Sequence, residues 1–100
     1  MRYGLPETCL KALQNIFSKF ASVKEVILYG SRAKGTFREF SDIDITLVGD
    51  IKPFDYYLIL QQIDDLLLPY NVDLSIFNRL KNESLKSHII RCGINIYTTD

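Results

Sequence analysis

Two aspartates, Asp42 and Asp44, stand one residue apart in the run "SDIDITLV", separated from a Gly30–Ser31 pair by ten residues. Alternate side chains of a strand share a face, so the two carboxylates project together and repel. A divalent cation between them removes that repulsion and keeps both ionised. Oxygen donors with no histidine or cysteine nearby favour magnesium or manganese over zinc. Asp73, in "NVDLSIF", needs only a neighbouring strand position to bring a third carboxylate to the same place. Three such groups suit a pair of Mg²⁺ ions ~3.5–4 Å apart, which hold the attacking and leaving oxygens of an in-line phosphoryl displacement. Gly30 lets the backbone approach a ligand closely, and the residues after it are expected to open a short helix whose N–H groups face an anion. Ser31 adds a hydroxyl donor. Arg32, Lys34 and Arg38 place positive charge in the intervening loop. Arg32 and Arg38 are the expected phosphate contacts, because a guanidinium can bind two oxygens at once.

These groups need a scaffold, and the hydrophobic pattern supplies one. Leu10, Leu13, Ile16, Phe17 and Phe20 recur at helical spacing, predicting a helix from about Pro6 to Phe20. "EVILYG", Glu25 to Gly30, reads as a buried strand closed by glycine. "DIDITLVG" alternates, with Ile43, Ile45 and Leu47 on one side and Asp42, Asp44 and Thr46 on the other. Pro53 opens a second helix carrying Tyr56, Leu60, Ile63 and Leu67, and Pro69 closes it. "NVDLSIF" alternates again. A third helix runs from about Asn82, a capping residue, to Cys92, with Gly93 as terminator. "INIY", Ile94 to Tyr97, reads as an edge strand. The expected fold is α+β: a small mixed sheet of about four strands with helices packed on its apolar face and the carboxylates on the other.

Composition bounds the rest. A chain of 100 residues with 47% hydrophobic and 24% charged side chains reads as one globular domain, 1–100. Twelve basic and twelve acidic residues cancel, so nucleic acid is not an expected partner. Cys9 and Cys92 fall on apolar helical positions and read as buried free thiols. No signal peptide or membrane-length apolar run stands out, which points to the cytoplasm. Asp64 and Asp65 read as a solvated helix face, His88 as a surface or rim residue, and Tyr29, Tyr56 and Tyr97 as core.

The stretch "GSRAKGTFREFSDIDI" resembles the G-S-x-A-x-G…S-D-I-D-L signature of the DNA polymerase β-type nucleotidyltransferase superfamily, in particular its small branch, the minimal nucleotidyltransferases. Gly30, Ser31, Ala33, Gly35, Ser41, Asp42, Ile43 and Asp44 match it, and "VDLS" resembles the strand of the third carboxylate. The resemblance implies ATP as substrate, held through Mg²⁺, with attack at the α-phosphate and pyrophosphate leaving. Gly30 and Ser31 would hold the β- and γ-phosphates, Asp42 and Asp44 both metals, and Asp73 the catalytic metal and the incoming hydroxyl.

Little chain follows Asp73 to wall the site, and a reaction of this kind needs enclosure. A partner, either a second copy or another protein, is therefore expected to complete it. The resemblance implies a small helical HEPN protein, the toxin of a toxin–antitoxin pair, with this chain the antitoxin that adds AMP to a tyrosine of it. Two other readings are a small-molecule adenylyltransferase of the aminoglycoside type and a nucleotide-binding module that neutralises its partner by complex formation.

Overall fold

A computed structural model of the chain describes residues 1–99. The elements run α1 (Glu7–Phe17), β1 (Glu25–Tyr29), a short α2 (Ser31–Lys34), β2 (Ile43–Val48), α3 (Pro53–Asp65), β3 (Val72–Ile76), a 3₁₀ turn (Phe77–Arg79), α4 (Glu83–Cys92) and β4 (Ile94–Thr98). The strands form one sheet in the order β3-β2-β1-β4. β1 lies antiparallel to both β2 and β4, whereas β2 and β3 are parallel. A parallel pair needs a crossover, which α3 provides. That single parallel pair sets two acidic strand starts side by side.

One face of the sheet is dry. Val26, Leu28, Ile43, Ile45, Leu47 and Leu74 meet Leu10, Leu13, Ile16 and Phe17 of α1 and Ile59 and Ile63 of α3 in a single core. Each fully buried side chain of this size contributes about 1.5–3 kcal/mol. Burial therefore fixes the strand register, since a slip of one residue in β2 would drive Asp44 into the core and Ile45 out. The alternation that feeds the core is the same alternation that aims the aspartates away from it.

The expectation that the helices share one face holds for α1 and α3 and fails for α4. Ile89 of α4 is buried but lies outside that core. Gly93, at the end of α4, sits against Ile27, which shares the face of Tyr29 and the aspartates. A Cβ at Gly93 would come within 2.4 Å of the Ile27 Cγ2 methyl, so glycine is what lets α4 lie so close. The helix is covered at its start as expected, the Asn82 side chain accepting from the Leu85 N–H at 3.1 Å. Periodicity alone could not tell the two faces apart, because Ile89 looks the same packed on either. Cys92 is also corrected: Cys9 is buried, but Cys92 ends α4 exposed. α1 stops at Phe17, short of Phe20, because the chain turns there through successive tight backbone bonds from Phe20 to Phe17 and Val23 to Phe20.

Candidate active site

The parallel register sets Asp44 directly beside Asp73, and the antiparallel register sets Tyr29 on the other side of Asp44. Neighbouring strands are ~4.8 Å apart, so the three side chains form a row across one end of the sheet. Asp42 precedes β2 at the same end and is exposed, as is Asp73, while Asp44 is half-buried. The structure thus pairs Asp44 with Asp73 and leaves Asp42 at the same end of the sheet. Behind this row lies a second one, Ile27, Thr46 and Ser75, whose buried Thr46 and Ser75 hydroxyls have no hydrogen-bond partner.

Gly30 follows β1 with φ +78° and opens α2. A Cβ there would stand 2.4 Å from Asp44 Oδ2. Both the backbone angle and the close approach demand glycine. Gly30 therefore borders the Asp44 carboxylate directly, Ser31 is the first residue of α2, and the left-handed Gly35 ends that short helix. The geometry leaves a backbone turn against Asp44 and two exposed carboxylates, Asp42 and Asp73, at the same end of the sheet.

Arg32 is the residue for which the sequence expectation is overturned. Its side chain is buried, with 1% exposure, and does not face the open patch. Nε and Nη2 donate to the Ser41 carbonyl at 3.2 and 2.8 Å, and Nη1 donates to the Tyr3 carbonyl at 2.9 Å. Its guanidinium lies 5.3 Å from the Phe37 ring centroid and 4.7 Å from that of Tyr70. Tyr3 and Gly4 form a tight turn closed by paired Arg2–Leu5 backbone bonds, both with positive φ, which presents that carbonyl. Arg32 is thus a strut under the residue that precedes Asp42, and the donors expected to hold phosphate are already used. Arg38 is exposed, and its backbone N–H donates to the Ser41 hydroxyl at 2.7 Å, so its guanidinium stays available.

Electrostatics marks the row as unfinished. Burial pushes the Asp44 carboxyl above the usual range, and the charges of Asp73 and Asp42 push it the same way. Burial likewise raises the Tyr29 phenol, helped by Asp73 and Asp44. Among the described residues the ion pairs are Arg2–Glu7 at 3.0 Å and Lys52–Asp50 at 3.3 Å, and neither touches the row. Among the described residues no group of three histidine, cysteine, aspartate or glutamate side chains is placed to hold a metal ion, so the row offers only part of a cation's shell. This fits Mg²⁺, which is commonly bound through one or two carboxylates with substrate phosphates and waters completing its shell. The donor set is all oxygen, and its negative charge is uncompensated.

A family model described as polymerase beta, nucleotidyltransferase matches residues 11–100. The chain belongs to this nucleotidyltransferase family. The nucleotidyltransferase is 37% identical over 82 residues to a protein of Methanocaldococcus jannaschii named "Putative protein adenylyltransferase MJ0604", covering 75% of this chain and 79% of that one. Its fold matches a toxin–antitoxin structure with AMP-PNP at a TM-score of 0.70 and 21% identity, covering 96% of this chain and 76% of the other. It also matches a complex of tri-AMPylated Shewanella oneidensis HEPN toxin with MNT antitoxin, at a TM-score of 0.67 and 16% identity over 93% and 72% of the two chains. At those identities the structural likeness establishes the nucleotidyltransferase fold.

Thr46 lies on the carboxylate face as its alternation predicts, whereas Tyr29, expected in the core, is placed differently. Tyr29 is buried, but it lies outside the main core and on the carboxylate face. Its place at the end of "EVILY", one residue before Gly30, was the available signal. Nothing in the sequence showed that Phe37, five residues on, and Tyr70, far along the chain, would enclose Arg32, since the two rings and the guanidinium meet only through the fold.

Proposed function

We propose that this nucleotidyltransferase transfers AMP from ATP to a hydroxyl of a helical HEPN-type partner, a tyrosine, and so acts as the antitoxin of a pair. The observation that carries the reading is the register pairing of Asp44 with Asp73 beside the Gly30 turn. Protein adenylylation is the activity named for the Methanocaldococcus jannaschii relative, and a HEPN toxin is bound by the Shewanella oneidensis neighbour. The exposure of Asp42 and Asp73 supports a protein acceptor, because a partner surface can supply the cover that excludes water.

In this reading Gly30 and Ser31 hold the β- and γ-phosphates through backbone N–H groups and the serine hydroxyl. Arg38, exposed in the loop, can reach the phosphate tail. Asp42, Asp44 and Asp73 would hold Mg²⁺, which supplies positive charge at the α-phosphate and the leaving pyrophosphate. Asp73, at the outer side of the row, takes the proton of the incoming hydroxyl. Arg32 holds Ser41, and through it Asp42, at a fixed height against the sheet.

The test is intact-mass analysis of a purified HEPN-type partner after incubation with the chain, ATP and Mg²⁺. The expected result is addition of AMP, absent with Asp42→Asn or Asp44→Asn. Partner neutralisation by those variants with no mass added would instead establish inhibition by complex formation and refute the catalytic reading.

A further inference from the structure

Strand pairing fixes two of the three carboxylates and leaves the third to other means. Asp44 and Asp73 are register partners on parallel strands, so the backbone ladder sets their separation. Asp42 stands one residue before β2, outside that ladder. The contacts that hold it converge on one buried guanidinium. Arg32 donates twice to the Ser41 carbonyl, directly ahead of Asp42, and once to the Tyr3 carbonyl. The same guanidinium lies against the rings of Phe37, in the loop that leads to Asp42, and Tyr70, three residues before Asp73. Beside it the Ile43 N–H donates to the Asn71 carbonyl at 2.8 Å, tying the same two segments together.

We propose that Tyr70 and the turn Arg2–Leu5 are positioning elements for the reaction: acting through Arg32, they set the separation of Asp42 and Asp73 that a shared Mg²⁺ requires. The inference rests on the reading of the row as a Mg-ATP site and adds what fixes its geometry. Leu5 is fully buried in the core and anchors the turn, and Arg2 and Leu5 exchange backbone hydrogen bonds at 3.0 and 2.8 Å. Between them Tyr3 has φ +56°, uncommon for a residue with a side chain, and its carbonyl meets Arg32. A Cβ at Gly4 would stand 2.8 Å from Arg32 Nη1 and would strike the Phe37 ring, so only glycine lets the turn reach the guanidinium. Arg32 has no ion pair among the described residues, so carbonyls and ring faces hold its charge, and loss of one unbalances the rest. Mg²⁺ demands near-ideal octahedral geometry, whereas Ca²⁺ accepts a looser shell. A displaced Asp42 therefore weakens Mg²⁺ more than Ca²⁺.

Three variants outside the carboxylate row test this. Tyr70→Leu removes the ring, at a position only partly buried, so the fold is spared. Gly4→Ala disrupts the turn, and Tyr70→Phe keeps the ring as a control. ATP affinity is measured by isothermal titration with Mg²⁺ and again with Ca²⁺, at a temperature where circular dichroism shows each protein folded. Tyr70→Leu and Gly4→Ala should bind Mg-ATP about tenfold or more weakly than wild type, with a smaller loss for Ca-ATP, and Tyr70→Phe should match the wild type. Hydrogen exchange of the metal-free protein should show residues 36–43 less protected in the first two variants, with β1 unchanged. Mg-ATP affinity unchanged in Tyr70→Leu, or lost equally with Ca-ATP, would overturn the positioning role and leave the Mg-ATP site standing. A wild type whose ATP binding needs no divalent cation would overturn the Mg-ATP reading itself, and the positioning role with it.

Discussion

Replacing Arg32 by methionine separates a strut from a phosphate ligand. Methionine keeps much of the length and apolar bulk against Phe37 and Tyr70 but removes every donor. The Ser41 and Tyr3 carbonyls then lose their partners. An orphaned buried acceptor costs about 1–3 kcal/mol, so two cost roughly 2–6 kcal/mol, toward the lower end where water can enter. Removing a buried charge offsets part of that, leaving a loss of about 2–4 kcal/mol. For a chain of this size each kcal/mol moves Tm by about 4–8 °C, so a fall of roughly 8–30 °C is expected by circular dichroism or scanning calorimetry. Arg32→Lys should fall between the two, since one ammonium cannot span both carbonyls. At a temperature where the variant is folded, Mg-ATP binding should weaken only modestly, through loosening of Ser41 and Asp42. If Arg32→Met instead melts within a few degrees of wild type and loses nucleotide binding, Arg32 is a phosphate ligand and the strut assignment is wrong.

In metal-free buffer at neutral pH, Asp44→Asn should melt above the wild type. A carboxyl that holds its proton more tightly folded than unfolded lowers stability once ionised, so the gap should close as the pH falls below the ordinary carboxylate range. A gap that widens in acid would contradict the burial and repulsion assigned to Asp44. Among the two thiols, Cys92 should react quickly with a disulfide reagent and Cys9 only on unfolding, because Cys9 is buried and its thiol is pushed up chiefly by that burial. Two equally fast thiols would contradict that burial.

Where local pattern and global fold agree, the sequence was readable. The alternation of "DIDITLV" fixed both the buried isoleucines and the shared face of Asp42 and Asp44, because one period decides both. Gly30 was legible for a similar reason: a strand ending in glycine before serine leaves few other conformations. The pairing of Asp44 with Asp73 required knowing that β2 and β3 are adjacent and parallel, which only the register established. Arg32 shows the limit. A loop arginine beside a phosphate turn has the chemistry of a ligand, and its burial depends on Tyr3, Ser41, Phe37 and Tyr70, which converge from separate parts of the chain. The side taken by α4 was hidden likewise, since the packing of Gly93 on Ile27 is a tertiary contact with no local signature.

Cation-assisted nucleotide binding at the Asp42–Asp44–Asp73 row beside Gly30 is the step on which the proposed transfer depends. Isothermal titration of the purified chain with ATP measures this directly, with Mg²⁺ and again with a chelator. The prediction is saturable heat with Mg²⁺, lost in chelator and strongly weakened in Asp42→Asn and Asp73→Asn. Equal binding with and without Mg²⁺, or binding untouched by both substitutions, would contradict it.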